Sequence, residues 1–505
     1  MRVRFLAILF VAGLILPAGP ARGEILPWDS WEMAVLDHWM NSEGNGAWVS
    51  QIRPVTTDYA LSLLGDLEPE DKSVSDQIDA LSSLIGKTVV NTGPFHLSVK
   101  VLGSYFYARP PAVKLLQLPA YENPLLAGNE GAFIDGGQMG TAGMRLSGHW
   151  TDYFSFDATP VLRLSSRDTA LTDNASLYLK EAVATIRLNR LAVEGGRANL
   201  LWGSGRYGHL LFSGDNPPLD LVRVRSIEPV TPPWVLKYLG PTQFDAFFGI
   251  LGEDRVFPHT RLVGTFISFL PHKRFEFGLG QTVLFGGEGG PTNNPMAYFS
   301  EKIGDAPDSA DRNFLLSGRF RIPAIEIELY SELMIEDCCG PFPFDPRDTM
   351  YLMGLYFPRI DPEGKADFAV EWVRTNHVAY RHGTFTSGYT HEGRMLGHPL
   401  GPDAMGIYAI LRYFPSKEFW GKATFAFEDR GKSGESISGG SITGAEPTYQ
   451  SPELRYRMEF DLRFRPTEAL AIGPRFGIER VSHFGYQTLQ KRWMVQSGLN
   501  VDYTL

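Results

Sequence analysis

Apolar and polar residues alternate along most of this chain, with a period of two residues that starts near residue 94. Such alternation predicts β-strands with two chemically different faces. The clearest strand covers residues 453–465. Its apolar face carries Leu454, Tyr456, Met458, Phe460, Leu462 and Phe464, and its other face carries Glu453, Arg455, Arg457, Glu459, Asp461, Arg463 and Arg465. A soluble sandwich buries the apolar face, whereas a membrane barrel turns it to lipid and keeps the charges in a hydrated lumen.

The same pattern predicts about eighteen strands. They lie at residues 94–108, 133–150, 152–166, 175–188, 190–202, 218–229, 241–253, 260–270, 273–286, 312–322, 324–336, 349–360, 366–379, 403–414, 417–429, 453–465, 468–482 and 491–505. Long connections alternate with short ones. The long connections are residues 109–132, 203–217, 287–311, 337–348, 380–402 and 430–452, and the short ones lie near residues 151, 189, 271–272, 323, 361–365, 415–416 and 466–467.

Long loops at one end and tight turns at the other are typical of outer-membrane barrels. The exception among the short connections is residues 230–240, where we predict a short interfacial helix. We therefore predict an all-β protein, a transmembrane antiparallel β-barrel of about 18 strands with a short N-terminal α-helical periplasmic segment. The even strand count places both termini on the periplasmic side. A large secreted β-sandwich or propeller stays open as the alternative, although the chain has no propeller repeat.

The first residues predict a cleaved secretory signal peptide at 1–23. Arg2 and Arg4 precede an apolar run at residues 5–16, and the mature chain is expected to start near Glu24. An uncleaved anchor is the alternative interpretation. Residues 24–92 are predicted to form the periplasmic helical segment, and residues 93–505 the barrel. Three helices are expected in the first part: one starting at a capping box of Asp29 and Glu32, one near residues 57–67 and one near residues 73–85.

Composition narrows the class of protein further. The chain has 505 residues, with 47 Lys and Arg against 57 Asp and Glu, and its net charge of −10 excludes nucleic-acid binding by bulk positive charge. Two cysteines exclude a disulfide scaffold. The mean hydropathy of −0.13 excludes a bundle of membrane helices.

Several segments follow one another in a specific order. They are Trp202-Gly203-Ser204-Gly205-Arg206, Leu210-Leu211-Phe212-Ser213, Asn216-Pro217-Pro218-Leu219, Trp234-Val235-Leu236-Lys237-Tyr238-Leu239-Gly240-Pro241, Leu251-Gly252-Glu253-Asp254-Arg255 and Gly286-Gly287-Glu288-Gly289. This series, which spans residues 199–292, resembles the capsule-assembly outer-membrane proteins called Wzi. The resemblance extends more weakly to nearly the whole mature chain. It implies an 18-stranded barrel with periplasmic helices and a lectin-like role in attaching capsular polysaccharide to the cell surface. Many outer-membrane barrels have an aromatic C-terminal residue, whereas this sequence ends in Leu505.

Two segments carry the candidate polysaccharide-binding residues. The first contributes Trp202, Arg206, Tyr207, His209, Asp215 and Asn216, and the second, in the loop 380–402, contributes Arg381, Tyr389, His391 and Arg394. Aromatic rings can stack on sugars, and arginine can bond a carboxylate in a bidentate fork. For the first segment we favour the structural alternative, in which a Gly-rich turn constricts the lumen and Arg206 pairs with a barrel carboxylate. For the loop, a solvated polar surface is the alternative to a basic surface for an acidic polysaccharide.

Other candidate chemistry is weaker. His377, His382, His391 and His398 have spacings that fit no standard zinc pattern, so we predict neither a metal nor a cofactor. Glu253 and Asp254 are neighbours and would point to opposite faces of a strand, which favours a lumen salt bridge or a rim turn over a catalytic pair. Cys338 and Cys339 are adjacent and could form a vicinal disulfide, remain thiols or link two molecules. The usual hydrolase and nucleotide-binding motifs are missing, so we predict no enzyme.

We conclude from the sequence that the protein is an outer-membrane lectin-like factor that attaches or organises capsular or other surface polysaccharide. A porin or uptake channel is the first alternative, and an outer-membrane glycan- or lipid-modifying enzyme is the second. The expected partners are the polysaccharide, outer-membrane lipid and, through the periplasmic helices, the export machinery. We expect a monomer and no nucleic-acid partner.

Overall fold

A computed structural model describes most of the chain. The described residues are 25–27, 30–43, 48–67, 69, 72–85, 90–92, 95–109, 113–114, 121–122, 136–151, 153–167, 173–214, 216–291, 310–336, 349–431 and 451–505. Four expectations lie outside them: the signal peptide, the Cys338-Cys339 pair, most of the 430–452 loop and the side chain of Asp215.

Within the described residues, eighteen long antiparallel strands close into one barrel, as the alternation predicts, and a short strand at Val90–Thr92 pairs with the first of them. The strands are β1 (Phe95–Arg109), β2 (Gly137–Trp150), β3 (Phe154–Ser165), β4 (Ala175–Leu188), β5 (Leu191–Ala198), β6 (Leu219–Ser226), β7 (Thr242–Ile250), β8 (Arg261–His272), β9 (Phe275–Phe285), β10 (Ala310–Ile322), β11 (Ile327–Glu336), β12 (Thr349–Phe357), β13 (Ala366–Thr375), β14 (Ala404–Ser416), β15 (Phe419–Arg430), β16 (Glu453–Phe464), β17 (Leu470–Ser482) and β18 (Lys491–Thr504). Each strand pairs with its neighbours in sequence, and β18 closes the barrel on β1, with Asn500 opposite Ser104.

The charged faces of the strands point inward and the apolar faces point outward. On β16, Tyr456 and Phe464 are 50% and 46% exposed, whereas Arg455 and Glu453 are buried. Other strands around the barrel show the same arrangement, which is the inverse of that in a soluble protein. Their exposed apolar side chains include Leu177, Ile186, Val222, Met353 and Trp493. An apolar outer band around an ion-paired interior is the arrangement that a bilayer requires. The transmembrane barrel is therefore confirmed over the sandwich.

Three short helices precede the barrel: α1 (Trp31–Ser42), α2 (Thr57–Gly65) and α3 (Lys72–Ile85). The predicted capping box at Asp29 is wrong, because Ser30 caps α1 by accepting a hydrogen bond from the Met33 amide at 3.1 Å. The helices pack against Phe414 and Trp420, which flank the tight turn between β14 and β15. Within the described part of the chain, no helix is both long and apolar enough to cross a membrane.

The two ends of the barrel differ. We call the end that carries α1–α3 and the short connections the tight-turn end, and the opposite end the long-loop end. The long connection predicted at residues 230–240 lies at the tight-turn end and contains a 3₁₀ turn, Trp234–Leu239. At the long-loop end, two described segments fold into the lumen. We call residues 199–214 the inner turn and residues 376–403 the inner loop.

Candidate functional site

The inner turn and the inner loop pack together in the lumen. The amide of Ser213 donates to the Leu396 carbonyl at 2.9 Å, and the Tyr380 hydroxyl donates to the Leu210 carbonyl at 2.9 Å. Their apolar side chains form one buried cluster with the barrel wall, which includes Leu211, Phe212, Phe385, Leu400, Phe247, Phe266 and Leu352. These segments therefore form a plug with a core of its own.

Trp202 lies at the centre of this plug and is fully buried. Its indole nitrogen donates to Asp245 on β7 at 2.8 Å, and its ring meets the Phe212 ring edge-on at 5.1 Å. The backbone of Trp202 pairs with Ile52, which belongs to the segment between α1 and α2. The inner turn from one end of the barrel thus bonds directly to the N-terminal segment from the other end.

Two barrel carboxylates hold the backbone of the inner turn. Glu332 on β11 accepts the amides of Ser204, Gly205 and Leu210 at 2.7–2.8 Å and contacts His209 Nδ1 at 3.0 Å. Glu371 on β13 accepts the amides of Arg206 and Tyr207 at 2.8 and 3.3 Å. Gly203, with φ at 130°, allows the chain to approach Glu332, because a Cβ there would lie 2.2 Å from its Oε1.

Arg206 joins the inner turn to both the helices and the wall. Its guanidinium contacts Asp37 on α1 at 3.2 Å and Glu328 on β11 at 3.3 Å. It also lies 3.4 Å from the centroid of the Tyr356 ring. Burial alone lowers the pKa of Arg206, but Asp37, Tyr356 and Glu328 outweigh burial and raise the pKa above its usual range. The pairing with a barrel carboxylate, which the structural interpretation of this turn predicts, is present.

Tyr207 is half-buried and connects the inner turn to β14 and β16. Its ring stacks on Tyr408 at a centroid distance of 3.8 Å, and its hydroxyl accepts from Arg457 at 2.6 Å. His209 and Asn216, the other described candidates of this stretch, are both buried.

The candidates of the inner loop are mostly buried as well. Tyr389, His391 and Arg394 expose 5% of their surface or less. Arg381 is half-buried and donates to the His377 carbonyl at 2.9 Å. Direct contact between a polymer and the buried side chains would require movement of the inner turn or the inner loop. The assignment of the ten candidate residues to polysaccharide binding stays a prediction.

His391 is held as a neutral imidazole. Its Nε2 donates to the Pro218 carbonyl at 3.3 Å, and its Nδ1 accepts from the Gly252 amide at 3.3 Å. Burial, assisted by Arg197, lowers the pKa of His391 from its usual 6.5 to about 4. Protonation of Nδ1 would remove the acceptor of the Gly252 amide and would place a positive charge near Arg197 and Arg255.

We expect acid to weaken the docking of the inner loop through His391. Because the pKa is lower in the folded protein, the unfolded chain binds the proton more tightly and stability rises with pH. The stabilisation is complete above pH 6.5 and is lost as the pH falls through about 4, with a maximum change of about 3 kcal/mol. Thermal unfolding followed between pH 7.5 and 4 checks this. His391→Gln, which does not titrate, should flatten that part of the profile, and an unchanged profile would contradict the assignment.

Sequence reasoning missed an acidic rim at the long-loop end. Its side chains are strongly exposed: Glu253 at 84%, Glu288 at 70%, Asp220 at 62% and Glu392 at 44%. His259 bridges part of it, with Nδ1 2.8 Å from Glu288. Such carboxylates can accept hydrogen bonds from sugar hydroxyls. Their exposure depends on packing between distant segments, so composition gives little signal for it.

The rim turn also explains the Glu253-Asp254-Arg255 sequence. Glu253 and Asp254 face solvent, whereas Arg255 is buried and donates to the backbone oxygens of Gly388, at 2.8 Å, and Thr390. Arg255 thereby fixes the inner loop to the rim. Among the described residues, no group of three or more His, Cys, Asp and Glu side chains is placed to hold a metal ion.

The fold and the site together define a class: a membrane-spanning β-barrel whose lumen is occupied by segments entering from both ends. The chain belongs to the capsule assembly protein Wzi family, whose model matches residues 109–492. This confirms the family resemblance of the sequence.

Two relatives give the comparison in more detail. A protein of Klebsiella pneumoniae described as "Uncharacterized 55.8 kDa protein in cps region" is 25% identical over 168 residues, which are 32% of this chain and 33% of that protein. This chain thus matches about one third of the length of that relative. The solved structure of Escherichia coli Wzi, described as an outer membrane protein involved in group 1 capsule assembly and a carbohydrate-binding β-barrel, superposes with a TM-score of 0.71. It is 14% identical, with 95% of this chain and 99% of that chain covered, and it shows the shared fold. Pseudomonas aeruginosa OprD superposes with a TM-score of 0.47 at 10% identity, covering 83% of this chain and 97% of that chain.

Proposed function

We propose that the protein is an outer-membrane lectin-like factor that attaches or organises capsular or other surface polysaccharide by non-covalent binding. The observation that carries this proposal is the filled lumen in a chain of the capsule assembly family. Trp202, Phe212 and Tyr389 are fully buried members of the apolar cluster that the two inner segments form with the barrel wall. A barrel filled in this way suits a binding role at the cell surface better than a role as a conduit.

The long-loop end faces the outside in this proposal, and the tight-turn end with α1–α3 faces the periplasm. Short periplasmic turns and longer outer loops are the usual arrangement of outer-membrane barrels. The helices would then be available to export components, and the acidic rim and the inner loop would meet the polymer. Many weak contacts along a long polymer suffice, because effective concentration raises avidity.

The distribution of polysaccharide between cells and medium tests the function. Deleting the gene should move surface polysaccharide into the medium while the total stays constant, and the wild-type gene should reverse this. An unchanged distribution would overturn the attachment role. Large, stable ohmic conductance of the purified wild-type protein in a planar bilayer would instead favour a channel.

Arg381→Ala tests the predicted binding surface. Arg381 keeps exposed surface on the inner loop, and a charge-assisted hydrogen bond to a uronate or hydroxyl is worth about 1.5–3 kcal/mol. We therefore expect the affinity for purified polysaccharide to fall at least about tenfold, measured by titration with the detergent-solubilised protein. Lys417→Ala, which removes an exposed cation at the tight-turn end, is the matched control and should bind normally. Equal binding by both variants would move the site away from Arg381.

A further inference from the structure

One connection at the tight-turn end leaves large apolar side chains uncovered. In the 3₁₀ turn between β6 and β7, Trp234 is 73% exposed, Val235 is 76% exposed and Tyr238 is 74% exposed. Single exposed apolar residues are common, but three within five positions form a patch that normally marks an interaction site.

The backbone fixes this patch in place. Val230 and Thr242 exchange two backbone hydrogen bonds of 2.8 and 3.0 Å at the base of the connection. Gly240, with φ at 70°, packs so closely on the end of β8 that a Cβ would lie 1.9 Å from the Leu270 carbonyl oxygen. Trp234 itself has φ at 60°, a conformation that costs energy for a bulky residue. A residue that has a strained backbone and a solvent-exposed ring indicates a functional contact.

Three exposed cations lie in this turn and in the tight turn that follows along the chain. Lys237 lies in the turn itself, with Nζ 5.4 Å from the Tyr238 ring centroid. Lys273 and Arg274 are exposed in the next tight turn, between β8 and β9. None of the three forms an ion pair with a described residue, so their charge is available to an anionic partner. We call Trp234–Leu239 together with residues 272–274 the rim patch.

The rim patch continues into the surface that faces lipid. Phe275 and Phe277 point outward on β9 with ring centroids 6.4 Å apart, and Phe269 on β8 lies 6.3 Å from Phe277. Aromatic residues concentrate where a bilayer meets water, and basic residues near the surface attract anionic lipid. A partner covering Trp234 must therefore share the edge of the bilayer.

We propose that the rim patch binds the anionic headgroups of the phospholipid leaflet at the tight-turn end, with Trp234, Val235 and Tyr238 inserted at the headgroup level. Lys237, Lys273 and Arg274 supply the charge for the phosphates. The assignment of this leaflet to the periplasmic side rests on the orientation given under Proposed function. The contact itself depends on neither the orientation nor polysaccharide binding.

Fluorescence quenching tests the insertion. The full chain is reconstituted in phospholipid nanodiscs, and the signal of Trp234 is taken as the difference between wild type and Trp234→Phe. Lipid brominated at upper acyl positions should quench this difference strongly, and aqueous acrylamide should quench it weakly. Trp493, which is 59% exposed on the outer face of β18, provides the lipid-exposed reference through Trp493→Phe. Strong quenching by acrylamide with no effect of the brominated lipid would overturn the proposal and point to a protein partner.

Anionic selectivity is tested separately. The triple variant Lys237→Gln, Lys273→Gln, Arg274→Gln should bind phosphatidylglycerol in detergent at least tenfold more weakly, because each basic residue near a membrane surface contributes about fivefold. Binding of phosphatidylcholine should not change. The matched control removes three exposed cations at the long-loop end, by Arg167→Gln, Arg261→Gln and Lys491→Gln. Equal phosphatidylglycerol affinity of the two triple variants would overturn the proposed role of the charges.

Discussion

Glu332→Ala is expected to free the inner turn from the barrel wall and to raise the ionic conductance of the lumen. The Glu332 carboxylate accepts three backbone amides and contacts His209, and the carboxylate itself is fully buried. Alanine leaves the amides of Ser204, Gly205 and Leu210 buried without an acceptor. Each unsatisfied buried donor costs about 1–3 kcal/mol, and removal of one partner of a buried charged pair costs about 3–5 kcal/mol. We therefore expect the docking of the inner turn to lose about 3–5 kcal/mol of stability.

Planar-bilayer recordings measure the consequence directly. The wild type should conduct weakly, Glu332→Ala should conduct severalfold more, and Glu332→Gln, which keeps an acceptor oxygen, should fall between them. Glu453→Ala is the matched control, since Glu453 pairs with Arg455 on the same strand and holds neither inner segment. If Glu332→Ala conducts no more than Glu453→Ala, Glu332 does not hold the plug.

Asp37→Ala is expected to detach α1–α3 from the lumen while the barrel stays folded. The Asp37 carboxylate lies 3.1 Å from Arg53, 3.2 Å from Arg206 and 2.9 Å from Arg412. Burial alone raises the pKa of Asp37, but the three guanidinium groups outweigh it and hold the pKa well below its usual range. Asp37 is therefore a carboxylate that links the helices, the inner turn and the wall.

Without Asp37, three arginines converge with too little negative charge. Arg412 keeps Asp367 and Arg206 keeps Glu328. Arg53 loses its described carboxylate and keeps the Ser50 carbonyl and a contact with the Trp48 ring, 5.9 Å from its centroid. Removing one partner of a buried charge network costs about 3–5 kcal/mol.

Limited proteolysis of the detergent-solubilised protein should cleave α1–α3 much faster in Asp37→Ala than in wild type. Asp37→Asn, which keeps an acceptor, should be intermediate. Asp79→Ala on the exposed face of α3 serves as control and should resist like wild type. Equal resistance of Asp37→Ala and Asp79→Ala would show that the apolar contacts of α1–α3 alone hold these helices in place.

The strands could be predicted closely because each depends on a local pattern. All eighteen strands begin and end within a few residues of their predicted limits. One of the largest differences is at the strand predicted for residues 190–202, which ends four residues early and covers Leu191–Ala198. The start of α1 was misplaced because Asp29 and Ser30 can both cap a helix in sequence, and only the backbone geometry selects Ser30.

The sequence predicted which segments of the chain form the candidate site, but not what their side chains contact. Sequence reasoning identified the Trp202–Asn216 stretch and the 380–402 loop, yet the environment of each side chain depends on partners far away. Trp202 donates to a carboxylate 43 residues away and Arg206 pairs with one 169 residues away. No local pattern encodes such pairs, so buried plug residues resemble exposed sugar-binding residues in sequence.

The sequence by itself determined the alternation of two faces, the order and approximate limits of eighteen strands, the helical character of residues 31–85 and the family. These properties follow from neighbours along the chain, where periodicity and turn residues act directly. Only the tertiary structure decided which face meets lipid, that two outer segments fold inward, and that Glu332, Asp37 and Arg206 join them to the wall. The physical reason is that burial and ion pairing are properties of the closed barrel, which brings together residues more than a hundred positions apart.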